Sequence, residues 1–136
     1  MALLLDTCAM IWISRDEPIA QSAREAVEFE IASKRSAYVS PISAWEIGML
    51  AARSRISLTM TPTRWFNRFI DRRSVALAEL TPDILIAASF LPGALHRDPA
   101  DRILCATARE GGYTIVTRDR KILDYAAAGH CRALAC

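Results

Sequence analysis

Four acidic side chains stand where the pattern of the chain would gather them. Asp6 directly follows the apolar run Ala2-Leu3-Leu4-Leu5, and Asp119 follows Thr-Ile-Val-Thr-Arg at the end of another. Glu46 shares a helical stripe with Ile42, Met49 and Leu50, and Asp101 shares one with Leu104, Cys105 and Ala108. A carboxylate on the apolar side of a helix must be paired or bound to a cation, because burying it alone is costly. Four brought together would repel, and some would stay protonated unless a divalent cation neutralised them. Oxygen donors with no His or Cys among them suit Mg²⁺ or Mn²⁺ rather than Zn²⁺. His96 and His130 read as isolated surface or structural residues. A cation held this way keeps several waters and stabilises charge on a phosphodiester, so hydrolytic phosphoryl transfer is the chemistry that fits.

Each acid also has a plainer use. Asp6 and Asp119 are well placed as helix N-caps. Ser43-Ala-Trp-Glu46 fits a capping box, although Pro41 argues that the helix has already begun. Asp101 can favour the positive end of its own helix. Asp98, immediately before Pro99, is an N-cap first; three residues from Asp101, it also stands as a possible outer member of the cluster.

The elements that would position these side chains are marked by caps and apolar runs. Ser40-Pro41, Thr61-Pro62, Thr81-Pro82 and Asp98-Pro99 each pair a capping oxygen with proline at the first helical position. Gly111-Gly112 ends the last of these helices. Short strands are expected at Ala2-Leu5, Ala37-Val39, Val75-Leu80, Tyr113-Val116 and Cys131-Leu134, the last with the weakest pattern. Strands alternating with helices predict a three-layer α/β/α sandwich around a central, mostly parallel sheet of four to five strands. Ligands bind such sheets at the carboxyl ends of the strands, where Asp6 and Asp119 fall. Residues 1–136 are expected to form one domain.

Composition adds bounds. Hydrophobic residues make up 52%, and the formal net charge of +2 says little about partners. Arg is abundant while Lys34 and Lys121 are the only lysines, which suits phosphate contact but also fits codon bias. Cys8, Cys105, Cys131 and Cys136 have no zinc-site spacing and read as reduced thiols. Asp6 interrupts the apolar start, no signal-peptide pattern follows, and no apolar run reaches the roughly 18 residues of a membrane span. A cytoplasmic protein is expected.

The motifs occur together in a recognisable order. They are Leu-Leu-Leu-Asp6-Thr7, Val-Ser-Pro-Ile-Ser-Ala-Trp-Glu46-Ile, Leu91-Pro92, His96-Arg-Asp-Pro-Ala-Asp101-Arg-Ile-Leu, and Ile-Val-Thr117-Arg-Asp119. This set, spanning residues 2–119, resembles the PIN-domain ribonucleases, in particular the VapC-like toxins of bacterial type II toxin–antitoxin pairs. The resemblance implies that Asp6, Glu46, Asp101 and Asp119 hold Mg²⁺ or Mn²⁺ and catalyse cleavage of single-stranded or loop RNA. It also implies a homodimer and a small VapB-like antitoxin as partner. Thr7 and Thr117 would orient ligands or water beside the substrate, Arg102 and Arg118 would meet phosphate, and Arg120 and Lys121 would extend the basic edge. Two positions depart from the family: Leu50 stands where a lysine is often found, and Ala100 where an aromatic is common.

Other readings stay open. A haloacid-dehalogenase-like phosphatase wants a second Asp two residues after the first, where this chain has Cys8, and only Lys34 or Lys121 could be its lysine. A catalytically idle PIN-like module that binds RNA or protein would keep the same fold. Trp12 and Trp45 read as core residues. Trp65, Phe66 and Phe69 read as one helix face, with an interface role for part of it.

Overall fold

The structure, a computed structural model, describes residues 2–33, 37–73 and 75–136. Lys34 lies outside the described residues. Among the described residues five strands and seven helices follow one another as β1 (Leu3–Leu5), α1 (Thr7–Ser14), α2 (Gln21–Ala32), β2 (Tyr38–Val39), α3 (Pro41–Ala52), α4 (Pro62–Arg73), β3 (Ala76–Leu77), α5 (Pro82–Ser89), α6 (Pro99–Gly111), β4 (Thr114–Thr117), α7 (Arg120–Ala127) and β5 (Arg132–Ala135). The sheet order is β3-β2-β1-β4-β5, and every pairing is parallel. The strand expected at Cys131-Leu134 is present one residue later and pairs Val116 with Leu134.

Side-chain alternation along the strands divides the core. Leu3, Leu5 and Val116 pack with Met10, Val27 and Phe69 on one face. Leu4 and Ile115 pack with Leu104, Ala108 and Ile122 on the other. Helices therefore cover both faces, as the three-layer expectation requires. Phe66 and Phe69 are spent on this core, and Trp65 stacks on Phe69 at 5.7 Å. Of that aromatic face Phe66 and Phe69 are buried and Trp65 is half-buried.

The capped helix starts fold as the sequence predicts. Ser40, Thr81 and Asp98 accept from backbone N–H groups of their first turns, with proline following each, and Pro62 opens α4. Gly112 closes α6 with φ 71°, a left-handed conformation that glycine adopts without strain. The order of strands reverses at β1, between β2 on one side and β4 on the other. That switch point opens a crevice at the carboxyl edge of the sheet. Among the described residues no helix is long and apolar enough to cross a membrane.

Candidate active site

The crevice is occupied by the acids. Asp6, Thr7, Cys8, Glu46, Asp101 and Asp119 line one cleft, together with Trp12, Leu104 and Arg118. Asp6 reaches it because β1 ends at Leu5, and the Asp6 N–H continues the ladder by donating to the Val116 carbonyl at 3.1 Å. Asp119 reaches it two residues beyond β4. Both are helix N-caps as well: Asp6 accepts from the Ala9 N–H at 2.6 Å and Asp119 from the Ile122 N–H at 3.0 Å. Capping and a place in the cleft, set out as alternatives in the sequence, coexist in the structure.

Glu46 comes from the middle of α3, whose N-cap is Ser40, so the capping-box reading fails. The Thr7 hydroxyl lies 2.6 Å from Glu46 Oε1 and 2.9 Å from Ser43 Oγ. Thr7 has one proton, which goes to the carboxylate, while buried Ser43 donates to Thr7. Thr117, also buried, donates to Asp6 Oδ2 and accepts from the Asp119 N–H at 3.0 Å.

Asp101 lies in the first turn of α6 and is bonded by a residue the sequence left aside. His96 Nε2 is 2.6 Å from Asp101 Oδ2, so His96 is not isolated. His130, by contrast, stacks on Tyr125 away from the acids. Asp98 caps α6 by accepting from the Asp101 N–H at 3.0 Å and does not line the cleft.

Arg102 does not face the cleft either. Its guanidinium donates to the carbonyls of Ala88 at 2.9 Å, Leu95 at 3.1 Å and His96 at 3.5 Å. Adjacent helical residues do not share a face, so Arg102 turns away from Asp101 and clamps the loop that delivers His96. The Tyr125 hydroxyl holds the same loop through the Pro92 carbonyl. Arg118 does line the cleft, with its guanidinium carbon 3.8 Å from the centroid of the Trp12 ring. The core reading of two tryptophans is corrected: Trp12 is a half-buried wall of the cleft, and Trp45 is 52% exposed. Both sit beside apolar neighbours along their helices, but those neighbours point elsewhere.

Crowding of acids shows in their ionisation. Burial pushes the Asp6 carboxyl up to about 6, aided by the charges of Asp101 and Asp119 and opposed by the Thr117 and Ala9 hydrogen bonds. Burial likewise raises Glu46 against its bond from Thr7, and raises Asp101 against its bond from His96. The Cys8 side chain is exposed, but the protein around its thiol excludes part of the solvent, which with the charges of all four acids pushes it up to about 11. Among the described residues no three His, Cys, Asp or Glu side chains are grouped closely enough to hold an ion together. The acids share one cleft while separate hydrogen bonds hold them on its different walls. Lys121 lines another cleft, and Cys8 occupies the position where a dehalogenase-like site needs its second acid.

A parallel sheet between two helical layers, with acids drawn to its switch point, defines a class: α/β/α proteins with an acidic centre at the carboxyl edge. Within that class the chain belongs to the PIN domain family, whose sequence profile it matches over residues 3–128. It is 32% identical over 126 residues to Ribonuclease VapC22 of Mycobacterium tuberculosis, covering 90% of this chain and 91% of that one. Its fold is similar to VapBC2 from Rickettsia felis, bound to a DNA fragment from their promoter, with TM-score 0.72 at 15% identity, covering 100% of this chain and 99% of that one. It is also similar to FitAcB from Neisseria gonorrhoeae, with TM-score 0.55 at 18% identity, covering 97% and 96%. At those identities the two likenesses are of fold.

Proposed function

We propose that this chain is a metal-dependent endoribonuclease that hydrolyses phosphodiester bonds in single-stranded or loop RNA. The convergence of Asp6, Glu46, Asp101 and Asp119 on one cleft of a PIN domain carries the reading. The ribonuclease identity of a relative sharing 32% of its residues supports the substrate class. On the same grounds we propose the role of toxin in a toxin–antitoxin pair, a VapB-like antitoxin as partner, and a homodimer. The fold shared with VapBC2 and FitAcB agrees with that assignment.

The donor set fits Mg²⁺ or Mn²⁺: carboxylate oxygens only, around Asp6, which is 8% exposed and resists ionising alone. Since no three of these side chains meet closely enough to share an ion directly, Asp6, Asp101, Asp119 and Glu46 would hold it partly through its own waters, and it would supply an activated water and offset charge on the phosphate. Thr117 aims Asp6, Thr7 aims Glu46 and His96 aims Asp101. Both threonines commit their protons to carboxylates, which favours positioning over direct substrate contact. Asp98 supports the site by capping the helix that carries Asp101, and Arg102 by fixing the His96 loop.

The test is cleavage of structured RNAs by purified protein with Mg²⁺ or Mn²⁺, against an Asp6→Asn control. Cleavage by the natural chain alone, abolished by a chelator, is the expected result. Equal behaviour of the two proteins would refute catalysis and leave an idle binding module.

A further inference from the structure

Among the described residues Arg118 is the one basic side chain on the walls of the acidic cleft. An exposed arginine ordinarily samples many rotamers, but this one is held at three points. Its Nε donates to the Cys136 carbonyl at 2.8 Å and its Nη2 to the Pro18 carbonyl at 2.5 Å. Its planar head lies over Trp12, 3.8 Å from the ring centroid. A guanidinium has five N–H donors, so these bonds leave three for an anion. Held in this way, it gives up little further conformational entropy when a phosphate arrives.

Position and charge say which phosphate. A scissile group belongs among the four carboxylates, where a cation would meet it. Arg118 is exposed and is bonded to Pro18 and Cys136, neither of which lines the cleft with the acids. Among the described residues the rest of the lining is four acids, one hydroxyl, a thiol and apolar groups, so this cation favours one course for an incoming polyanion. We propose, resting on the nuclease reading above, that Arg118 laid on Trp12 is a subsite for the phosphate next to the scissile one in single-stranded RNA. Trp12 is its positioning residue.

The test measures binding of a fluorescein-labelled, mixed-sequence pentaribonucleotide with Mg²⁺ by anisotropy at several salt concentrations. It is run in an Asp6→Asn background so that the probe is not consumed. Arg118→Gln, which keeps donors for the two carbonyls, should weaken binding several-fold and lower the salt slope by about 0.7. Trp12→Leu should weaken binding while keeping the slope, because the charge remains but is no longer held. Trp12→Phe should restore affinity, and both Trp12 variants report on folding through their melting curves. An unchanged slope in Arg118→Gln, or natural affinity in Trp12→Leu, would overturn the subsite. The nuclease reading fails separately: RNA bound with these slopes but never cut by the protein with Asp6 intact overturns that reading and keeps Arg118 on Trp12 only as a phosphate contact. Cleavage with an unaltered slope removes the subsite alone.

Discussion

The Thr117 hydroxyl lies 2.5 Å from Asp6 Oδ2, joining residues 111 positions apart at the ends of adjacent strands. The Thr117 hydroxyl oxygen also accepts the Asp119 N–H, so one buried side chain sets both strand-end acids. Thr117→Val keeps the shape and removes the hydroxyl. It should cost about 1–3 kcal/mol in urea denaturation, the range for stranding a buried polar partner. RNA cleavage should fall at least as far as in Thr7→Val, while Thr117→Ser retains most of both properties. A Thr117→Val protein as stable as the natural chain would show that Asp6 does not depend on this bond.

Stability of the metal-free protein should depend on pH through Asp6. Its folded-state carboxyl sits at about 6, above the ordinary 3.8, so the folded form prefers the neutral acid. Its favourable contribution is full below 3.8 and is lost as pH rises through about 6. Each pKa unit is worth about 1.4 kcal/mol, giving a penalty on the order of 3 kcal/mol above that range. Asp6→Asn, in chelator, should therefore melt higher than the natural chain at pH 8 and close to it at pH 4. Parallel melting curves at the two pH values would contradict this.

Cation binding should reveal His96. Partners that hold a metal-binding side chain from behind commonly change affinity by about 10–100-fold. His96→Ala should weaken Mn²⁺ binding by about tenfold in calorimetry without loss of helical signal. His96→Gln, which keeps an N–H donor, should recover part of it. Equal Mn²⁺ affinity in His96→Ala and the natural chain would reduce His96 to a packing residue.

Arg102 separates stability from RNA contact. Hydrogen bonds to a charged group are worth about 1.5–3 kcal/mol, and its guanidinium binds a carbonyl of α5 and one within the loop before α6. Arg102→Met should lower the free energy of unfolding, measured by urea denaturation, by about 1.5–3 kcal/mol. The salt slope of RNA binding should not change. A slope reduced as much as in Arg118→Gln would return Arg102 to the substrate.

Asp6 and Asp119 were legible in the sequence because a parallel sheet sends every strand end to one edge, and the two strands are marked by apolar runs. The phase of Glu46 against Ile42 and Met49, with Pro41 before it, placed that acid by helix geometry alone. His96 was not legible, since it reaches Asp101 through an irregular loop that has no periodicity to read. Arg102 looked like a phosphate contact because it neighbours Asp101 in sequence; one step along a helix turns it to another face. Trp12 looked like core because its sequence neighbours are apolar, and nothing local announces that Arg118 covers it. Local pattern locates side chains that regular elements aim, and misses those whose partners lie across the chain.

Asp6 and Asp119 each close the first turn of a helix while facing the cleft. An asparagine there accepts the same backbone hydrogen and carries no charge. One nucleotide change separates the two codons, so a lineage released from selection for RNA cutting can lose the site without passing through a misfolded ancestor. Silent descendants with an intact fold are then a foreseeable product of drift, easily mistaken for working copies by shape alone.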